Sequence, residues 1–203
     1  MAEINTIIYD LGGVLVDWNP DYLYRKVFKS DAEMQWFYKN VCTPEWNLEQ
    51  DAGRSIKDAT EFLVNKFPEY QEYVRMYYGR WTEMLNGPIQ ESVDIFQNLK
   101  DSGKYKFYAL TNWSAETFPL AVEMYEFLNW FDGRVVSGEE KTRKPFPQIY
   151  KTLINRFSID PRKALYTDDN SRNLIPAKDL GMETVHFQSP AQFRKSLKDL
   201  ELL

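Results

Sequence analysis

Residues 4–13 read INTIIYDLGG. The run over 4–9 is short, apolar and rich in β-branched residues, without clean alternation. It predicts a strand buried on both faces, the kind found in a parallel sheet covered by helices on each side. It stops at Asp10, and Gly12 and Gly13 then let the backbone turn sharply. Farther along the chain, strand and helix patterns alternate as such a sheet requires. An amphipathic helix is predicted over 89–101, a strand over 105–110 (YKFYAL) ending at Thr111-Asn112, and a helix over 117–128. A short strand follows at 134–137, a helix over 146–157 after Lys144-Pro145, and a strand over 163–167 (KALYT) ending at Asp168-Asp169. The chain closes with a helix over 172–180, a strand over 183–187 and a helix over 190–200. This alternation predicts an α/β, Rossmann-like parallel sheet with right-handed crossovers.

The stretch 21–86 has a different period. Asp21, Ser30, Pro44 and Ser55 are helix starts or caps. Phe62, Leu63 and Phe67, then Tyr73, Met76, Tyr77, Trp81 and Met84, recur at helical spacing, and no good strand is visible. The reading is a bundle of about four helices inserted after the first strand, closed by the breaker Asn86-Gly87-Pro88. The expected organisation is therefore a core of residues 1–16 and 88–203 carrying a helical cap over 17–87.

Ligands of parallel sheets bind beyond the carboxyl ends of the strands. Those ends carry Asp10, Thr111-Asn112 and Asp168-Asp169, with Lys144 just past the third strand. The set suits phosphoryl transfer, which needs a nucleophile and neutralisation of the equatorial oxygens. A carboxylate can attack phosphorus once a divalent cation offsets its charge. Magnesium prefers oxygen ligands and takes one or two carboxylates along with water and substrate phosphate. Thr111, Asn112 and Lys144 offer a hydroxyl, an amide and an ammonium to the remaining phosphate oxygens.

Four segments in order, YDLGGVLVD, ALTNWS, KPFPQIY and YTDDNSRN, resemble the four motifs of the haloacid dehalogenase superfamily. The resemblance spans the whole core, and the inserted helices resemble the small helical cap of its phosphatase-rich branch. It implies Asp10 as nucleophile, with magnesium held by the Asp10 side chain, the Gly12 carbonyl and Asp169. Asp168 is implied as a further ligand or base, and Thr111, Asn112 and Lys144 as phosphate-binding groups. The implied activity is a magnesium-dependent phosphatase acting on a small phosphorylated metabolite, such as a sugar phosphate, through an aspartyl-phosphate. A dehalogenase using the same nucleophile on carbon, a mutase, and a non-catalytic phosphate-binding protein are the alternatives. Paired acids at Asp168-Asp169 repel a carboxylate substrate and so disfavour the first.

Phosphatases of this superfamily usually carry an acid two positions after the nucleophile, where this chain has Gly12. Either the leaving group is an easy one, such as that of a sugar-1-phosphate, or another carboxylate substitutes: Asp17, Glu49 or Asp51. Asp17 has a second reading as a local hydrogen-bonding residue at the core–cap passage. The segment PEWNLEQDAGRS (44–55) resembles the loop that points into the active site in capped relatives. Its Trp46, Asp51 and Arg54 are candidate substrate contacts, or else a capping turn with solvated charges. Trp18 and Trp113 read as hinge packing or as a substrate wall, and His186 as a packed or surface residue.

The bulk figures fit this reading. The 203 residues are 43% hydrophobic, enough for a sizeable core, and 16% aromatic, which invites some rings into a cleft or interface. A formal net charge of −5 gives none of the basic field of a nucleic-acid binder. No segment approaches the roughly 18 apolar residues of a membrane span, and the N-terminus lacks a basic, apolar leader. With one cysteine, Cys42, no intramolecular disulfide forms. The expectation is a cytoplasmic monomer or homodimer.

Overall fold

In the computed structural model, which describes residues 3–203, β1 (Thr6–Tyr9) is the central strand of five. It is flanked by β4 (Lys106–Thr111) and β6 (Ala164–Asp168), with β5 (Gly133–Val136) and β7 (Glu183–His186) outermost, in the order β5-β4-β1-β6-β7. Every pairing in this sheet is parallel. Ile7, Ile8 and Tyr9 are fully buried, as a strand covered on both faces must be. Ile7 and Tyr9 pack into one layer with Phe96 of α6 (Gln90–Asp101) and Phe193 of α11 (Pro190–Asp199). Ile8 joins the other, with Tyr150 and Leu153 of α9 (Pro147–Phe157) and Leu174 of α10 (Ser171–Asp179). Burying each such side chain contributes about 1.5–3 kcal/mol. A slip of one residue would exchange the two layers, so the register is strongly specified.

That register aligns the functional strand ends. Tyr9 pairs with Ala109 on one side and Thr167 on the other. The backbone N–H of Asp10 donates to the Thr167 carbonyl at 2.9 Å, so Asp10 and Asp168 leave the sheet at one level.

A second, two-stranded sheet corrects the sequence reading. β2 (Val16–Trp18) and β3 (Leu85–Pro88) pair antiparallel with an irregular register. The sequence shows only a breaker at Asn86-Gly87-Pro88, whereas these residues form a strand. Asp17 fastens the ribbon by accepting from the Tyr22 hydroxyl (2.7 Å) and the Asn86 amide (3.0 Å), which is the local hydrogen-bonding alternative of the sequence reading.

Between the ribbon strands lie α1 (Asp21–Tyr24), α2 (Asp31–Asn40), α3 (Pro44–Asp51), α4 (Ile56–Lys66) and α5 (Gln71–Gly79). Ser30, Thr43 and Ser55 cap three of them by accepting from Glu33, Trp46 and Asp58 N–H groups, each cap worth about 1 kcal/mol. Tyr24, Phe37, Val74 and Tyr77 are buried among these helices. The loop expected around 44–55 is mostly helix, because Thr43 and Pro44 start α3 and carry it to Asp51. The helix expected over 117–128 is α7 (Phe118–Met124) followed by a 3-10 turn over Glu126–Asn129, split where Tyr125 turns extended. α8 (Ser137–Glu140) follows β5 directly. Cys42 is buried, and no described helix is long and apolar enough to cross a membrane.

Candidate active site

Lys144 organises the strand ends. Its side chain is 1% exposed, and Nζ lies 2.8 Å from Asp10 Oδ1 and 2.7 Å from Asp168 Oδ2. The Asn112 amide fixes the Lys144 backbone from both sides: Oδ1 accepts from Lys144 N–H at 2.8 Å and Nδ2 donates to the Lys144 carbonyl at 3.1 Å. Asp10 Oδ1 also accepts the Leu11 N–H at 2.7 Å.

Asp168 and Asp169 are adjacent but differently placed. Asp168 is fully buried and accepts from Lys144 Nζ, the Tyr166 hydroxyl, the Asn170 N–H (2.8 Å) and Asn173 Nδ2 (2.9 and 3.1 Å). Such donors saturate a carboxylate's roughly four lone-pair sites. Asp169 is exposed, and among the described residues no side chain donates to its carboxylate. His186 Nε2 sits 2.9 Å from the Asp169 backbone carbonyl, bracing that loop from β7. Asp10, Asp168 and Asp169 each offer an oxygen, all within 4.8 Å of one another.

The electrostatics follow from burial at close quarters. Burial pushes Asp10 up to about 8, against the pull of Lys144 and with help from Asp168 and Asp169. Asp169, although exposed as a residue, has its carboxylate packed beside Gly13, and the resulting partial desolvation together with Asp168 raises it. Burial works to raise Asp168 as well, but Lys144 and the Tyr166 hydroxyl hold it below the ordinary carboxylate value. Lys144 is raised, because Asp10 and Asp168 together outweigh the burial that opposes its charge. Three acids around one ammonium form a site short of positive charge, as the donor set of a divalent cation should. Thr111 Oγ1, at the end of β4, is buried without a protein partner, which suits an external acceptor such as a phosphate oxygen.

Gly13 is required by the same geometry. Its φ is +74°, and a Cβ there would collide with the Asp169 carboxylate. Gly13→Ala is therefore expected to displace Asp169 and to lower stability by about 1–3 kcal/mol. Thermal melting checks this; an unchanged midpoint would show that the loop relaxes freely.

A cavity of about 90 Å³ opens beside Gly12 and Asn112, next to the strand ends that carry the carboxylates. Trp18, Tyr78, Trp81 and Trp113 form its aromatic side, and Gly12, Asn47, Asp51 and Asn112 lie on its polar side. Trp18 and Trp113 are thus both cavity wall, and Trp113 also packs edge-on against Trp81 and Phe118. Of the three candidate contacts in 44–55, only Asp51 reaches this cavity. Trp46 is buried within the helices, its indole N–H donating to the Ala59 carbonyl at 3.3 Å and its ring edge-on to Tyr77. Arg54 pairs with Glu49 and lies 5.1 Å over the Phe62 ring. Trp46 falls on the buried face of α3 together with Gln50, one turn on, and Arg54 lies past the end of the helix.

Sequence reasoning missed Asn47, Tyr78 and Trp81 as cavity residues, since a helical stripe looks the same whether it faces a core or a cleft. It also missed Tyr166 and Asn173, although both belong to the YTDDNSRN segment.

The haloacid dehalogenase-like hydrolase family matches residues 7–187. Sesquiterpene phosphatase astK of Aspergillus oryzae is 24% identical over 179 residues, covering 88% of this chain and 87% of that protein. D-ribitol-5-phosphate phosphatase of Bacteroides thetaiotaomicron is 22% identical over 206 residues, covering 96% of this chain and 97% of that one. Among solved structures, an aspartate-to-alanine mutant of a HAD family enzyme from Bacteroides thetaiotaomicron, in complex with magnesium and inorganic phosphate, superposes with a TM-score of 0.70 at 21% identity, over 92% of this chain and 95% of that one. With the matched region running from β1 to the end of β7, this chain belongs to the haloacid dehalogenase-like hydrolase family.

Proposed function

We propose that this chain is a magnesium-dependent phosphatase that hydrolyses a small phosphorylated metabolite through an aspartyl-phosphate on Asp10. The observation that carries the reading is Lys144, buried and bridging Asp10 and Asp168 beside the exposed Asp169. The relatives named as phosphatases and the magnesium and phosphate complex of the structural neighbour support it.

In this mechanism Lys144 aims Asp10 and favours its ionised form against the burial that opposes it, and Asp168 acts as a positioning residue that holds Lys144. The Asp10 carboxylate attacks phosphorus as the ester oxygen departs, and water then attacks the aspartyl-phosphate to release phosphate. Thr111 Oγ1, the Asn112 backbone N–H and Lys144 bind the equatorial oxygens, the Asn112 side chain being engaged with the Lys144 backbone. Magnesium, held by the Asp10 carboxylate, the Gly12 carbonyl and Asp169, would supply Lewis-acid neutralisation of phosphate charge. Asp169 is preferred to Asp168 as direct ligand because Asp168 is already saturated by donors of this chain. Residues 17–87 act as a cap, with the ribbon β2–β3 as its stalk. The aromatic and amide-lined cavity fits a polyhydroxylated leaving group such as a sugar, whose rings and hydroxyls suit those surfaces.

The test is phosphate release from a panel of phosphorylated metabolites with magnesium and with a chelator. Chelation is expected to stop turnover. By calorimetry, Asp169→Ala is expected to weaken magnesium binding by more than the roughly 10–100-fold typical of losing an outer partner of a metal site. Turnover that survives chelation, or magnesium affinity unchanged in the variant, would sink the metal assignment.

A further inference from the structure

Gly12 has no side chain with which to move a proton. A monoester's departing oxygen needs one unless its conjugate acid is strong. Three carboxylates near the cleft are candidates. Asp17 is committed to Tyr22 and Asn86 in the ribbon. Glu49 is exposed and paired with Arg54. Asp51 alone lines the cavity that Gly12 and Asn112 also line.

The structure holds Asp51 there by contacts on both sides. The turn after α3 is seated on the core, where a Cβ at Gly53 would stand only 2.9 Å from the Gly138 carbonyl of α8. Ile56 N–H donates to Glu116 Oε1 at 2.7 Å, a second tie between the inserted helices and the core. From its own helix, Asn47 Nδ2 donates to Asp51 Oδ2 at 3.3 Å, and the Tyr78 hydroxyl orients Asn47 at 2.9 Å. Neither Asn47 nor Tyr78 neutralises the carboxyl, so it remains free to gain and lose a proton.

We propose that Asp51 is the proton donor to the leaving group and the acceptor from the attacking water, performing from the inserted helices the task that Gly12 cannot. This inference rests on the phosphatase reading. In the first step Asp10 forms its bond to phosphorus as the P–O bond to the alcohol breaks. The electron pair stays on that oxygen, which takes the Asp51 proton and leaves as a neutral alcohol. In the second step the Asp51 carboxylate takes a proton from water as the water oxygen bonds to phosphorus and the Asp10–P bond breaks. Asp10 and Asp51 both return to their starting states. The substrates served are esters of ordinary alcohols, including sugar hydroxyls, not only activated ones.

The environment suits a proton shuttle. Burial pushes Asp51 up to about 7, offset in part by Arg143, the Ser114 N–H and Lys144. Tyr77 and Tyr78 of α5 face it as neutral phenols, both raised by burial. An acid with a pKa near the working pH is the efficient one for both half-reactions.

The experiment compares kcat/KM for the wild type and Asp51→Asn on alkyl phosphates and on an aryl phosphate of low leaving-group pKa. Alkyl substrates are expected to lose roughly 10²–10⁴-fold, the usual worth of a general acid, and the aryl phosphate less than about tenfold. Because Asp51 must be protonated for the first step, wild-type kcat/KM on alkyl esters should fall as pH rises through about 7, and this limb should vanish in the variant. The aryl kcat/KM, which ends at formation of the aspartyl-phosphate and so leaves out the later water step, is the control for folding. A second variant adds Gly12→Asp to Asp51→Asn; Gly12 lies outside the left-handed region and a Cβ there meets nothing within 4 Å. It should recover part of the alkyl rate. Equal losses on both substrate classes, or no loss on alkyl esters, overturn the role of Asp51. A wild type that releases phosphate from neither class overturns the phosphatase reading instead.

Discussion

Asp10→Asn is expected to reduce phosphate release by roughly 10⁴–10⁶-fold, the scale on which enzymes respond to loss of a covalent nucleophile. The amide keeps the size of the side chain but has no anionic oxygen to attack phosphorus and is a weaker metal ligand. Stability should move the other way. With burial raising Asp10 from 3.8 to about 8, the metal-free fold binds this proton more tightly than the unfolded chain does. Ionised Asp10 therefore costs stability progressively as pH rises across that window, and the cost levels off above it. The neutral amide carries no such cost, and Lys144 keeps Asp168 as its partner. In chelator at pH 8, the variant should melt no lower than the wild type. Activity within tenfold of wild type would remove the covalent mechanism, and a large fall in melting temperature would show that the Asp10–Lys144 pair is a net structural asset.

This opposition between the proposed role of Asp10 and its burial explains why the centre of the candidate site was legible in sequence. A strand ending on an acid that the sheet would sooner bury neutral is a local conflict, and such conflicts mark function. INTIIYD shows it in consecutive letters, and KALYTDD brings two more acids to the same edge, because parallel strands deliver their ends to one edge whatever the loops do. The inserted helices offered less. Ser30 and Ser55 marked helix starts as caps, and Asp21 and Pro44 as first-turn residues, because both preferences are local chemistry. Which face of α3 meets the cleft depends on how the helices dock, and docking depends on distant contacts such as Gly53 against Gly138. Trp46 and Asp51 consequently looked equivalent, although one is buried among the inserted helices and the other is cavity wall. The β2–β3 ribbon escaped for a related reason: its strands are short, carry Gly87 and Pro88, and find their partners some seventy residues away.

Lys144→Met should produce the largest loss of stability of any single change at the site. Methionine matches the stem of the lysine but leaves Asp168, fully buried, and Asp10, nearly so, facing each other without an ammonium. Removing one partner of a buried pair typically costs about 3–5 kcal/mol, because the stranded charge has lost its water as well. For a chain of this length that corresponds to a fall in melting temperature of roughly 6–20 °C. The pH dependence identifies the cause. Asp168 is held below its ordinary value, so the stability it contributes is present above about pH 4 and is lost as pH falls through its lowered folded value. Lys144 is raised, so its share is present below its unfolded value of 10.5 and is lost only as pH climbs through the higher folded one. The gap between wild type and Lys144→Met should thus be widest at neutral pH and should narrow on both the acid and the alkaline side. Adding Asp168→Asn to Lys144→Met should cost much less than the sum of the two single changes, since the second removes the charge that the first left stranded. Equilibrium denaturation of the four proteins in chelator, across pH, measures both effects. A gap independent of pH would assign the loss to packing of the lysine stem, and strict additivity would show that Lys144 and Asp168 stabilise the fold independently despite their 2.7 Å contact.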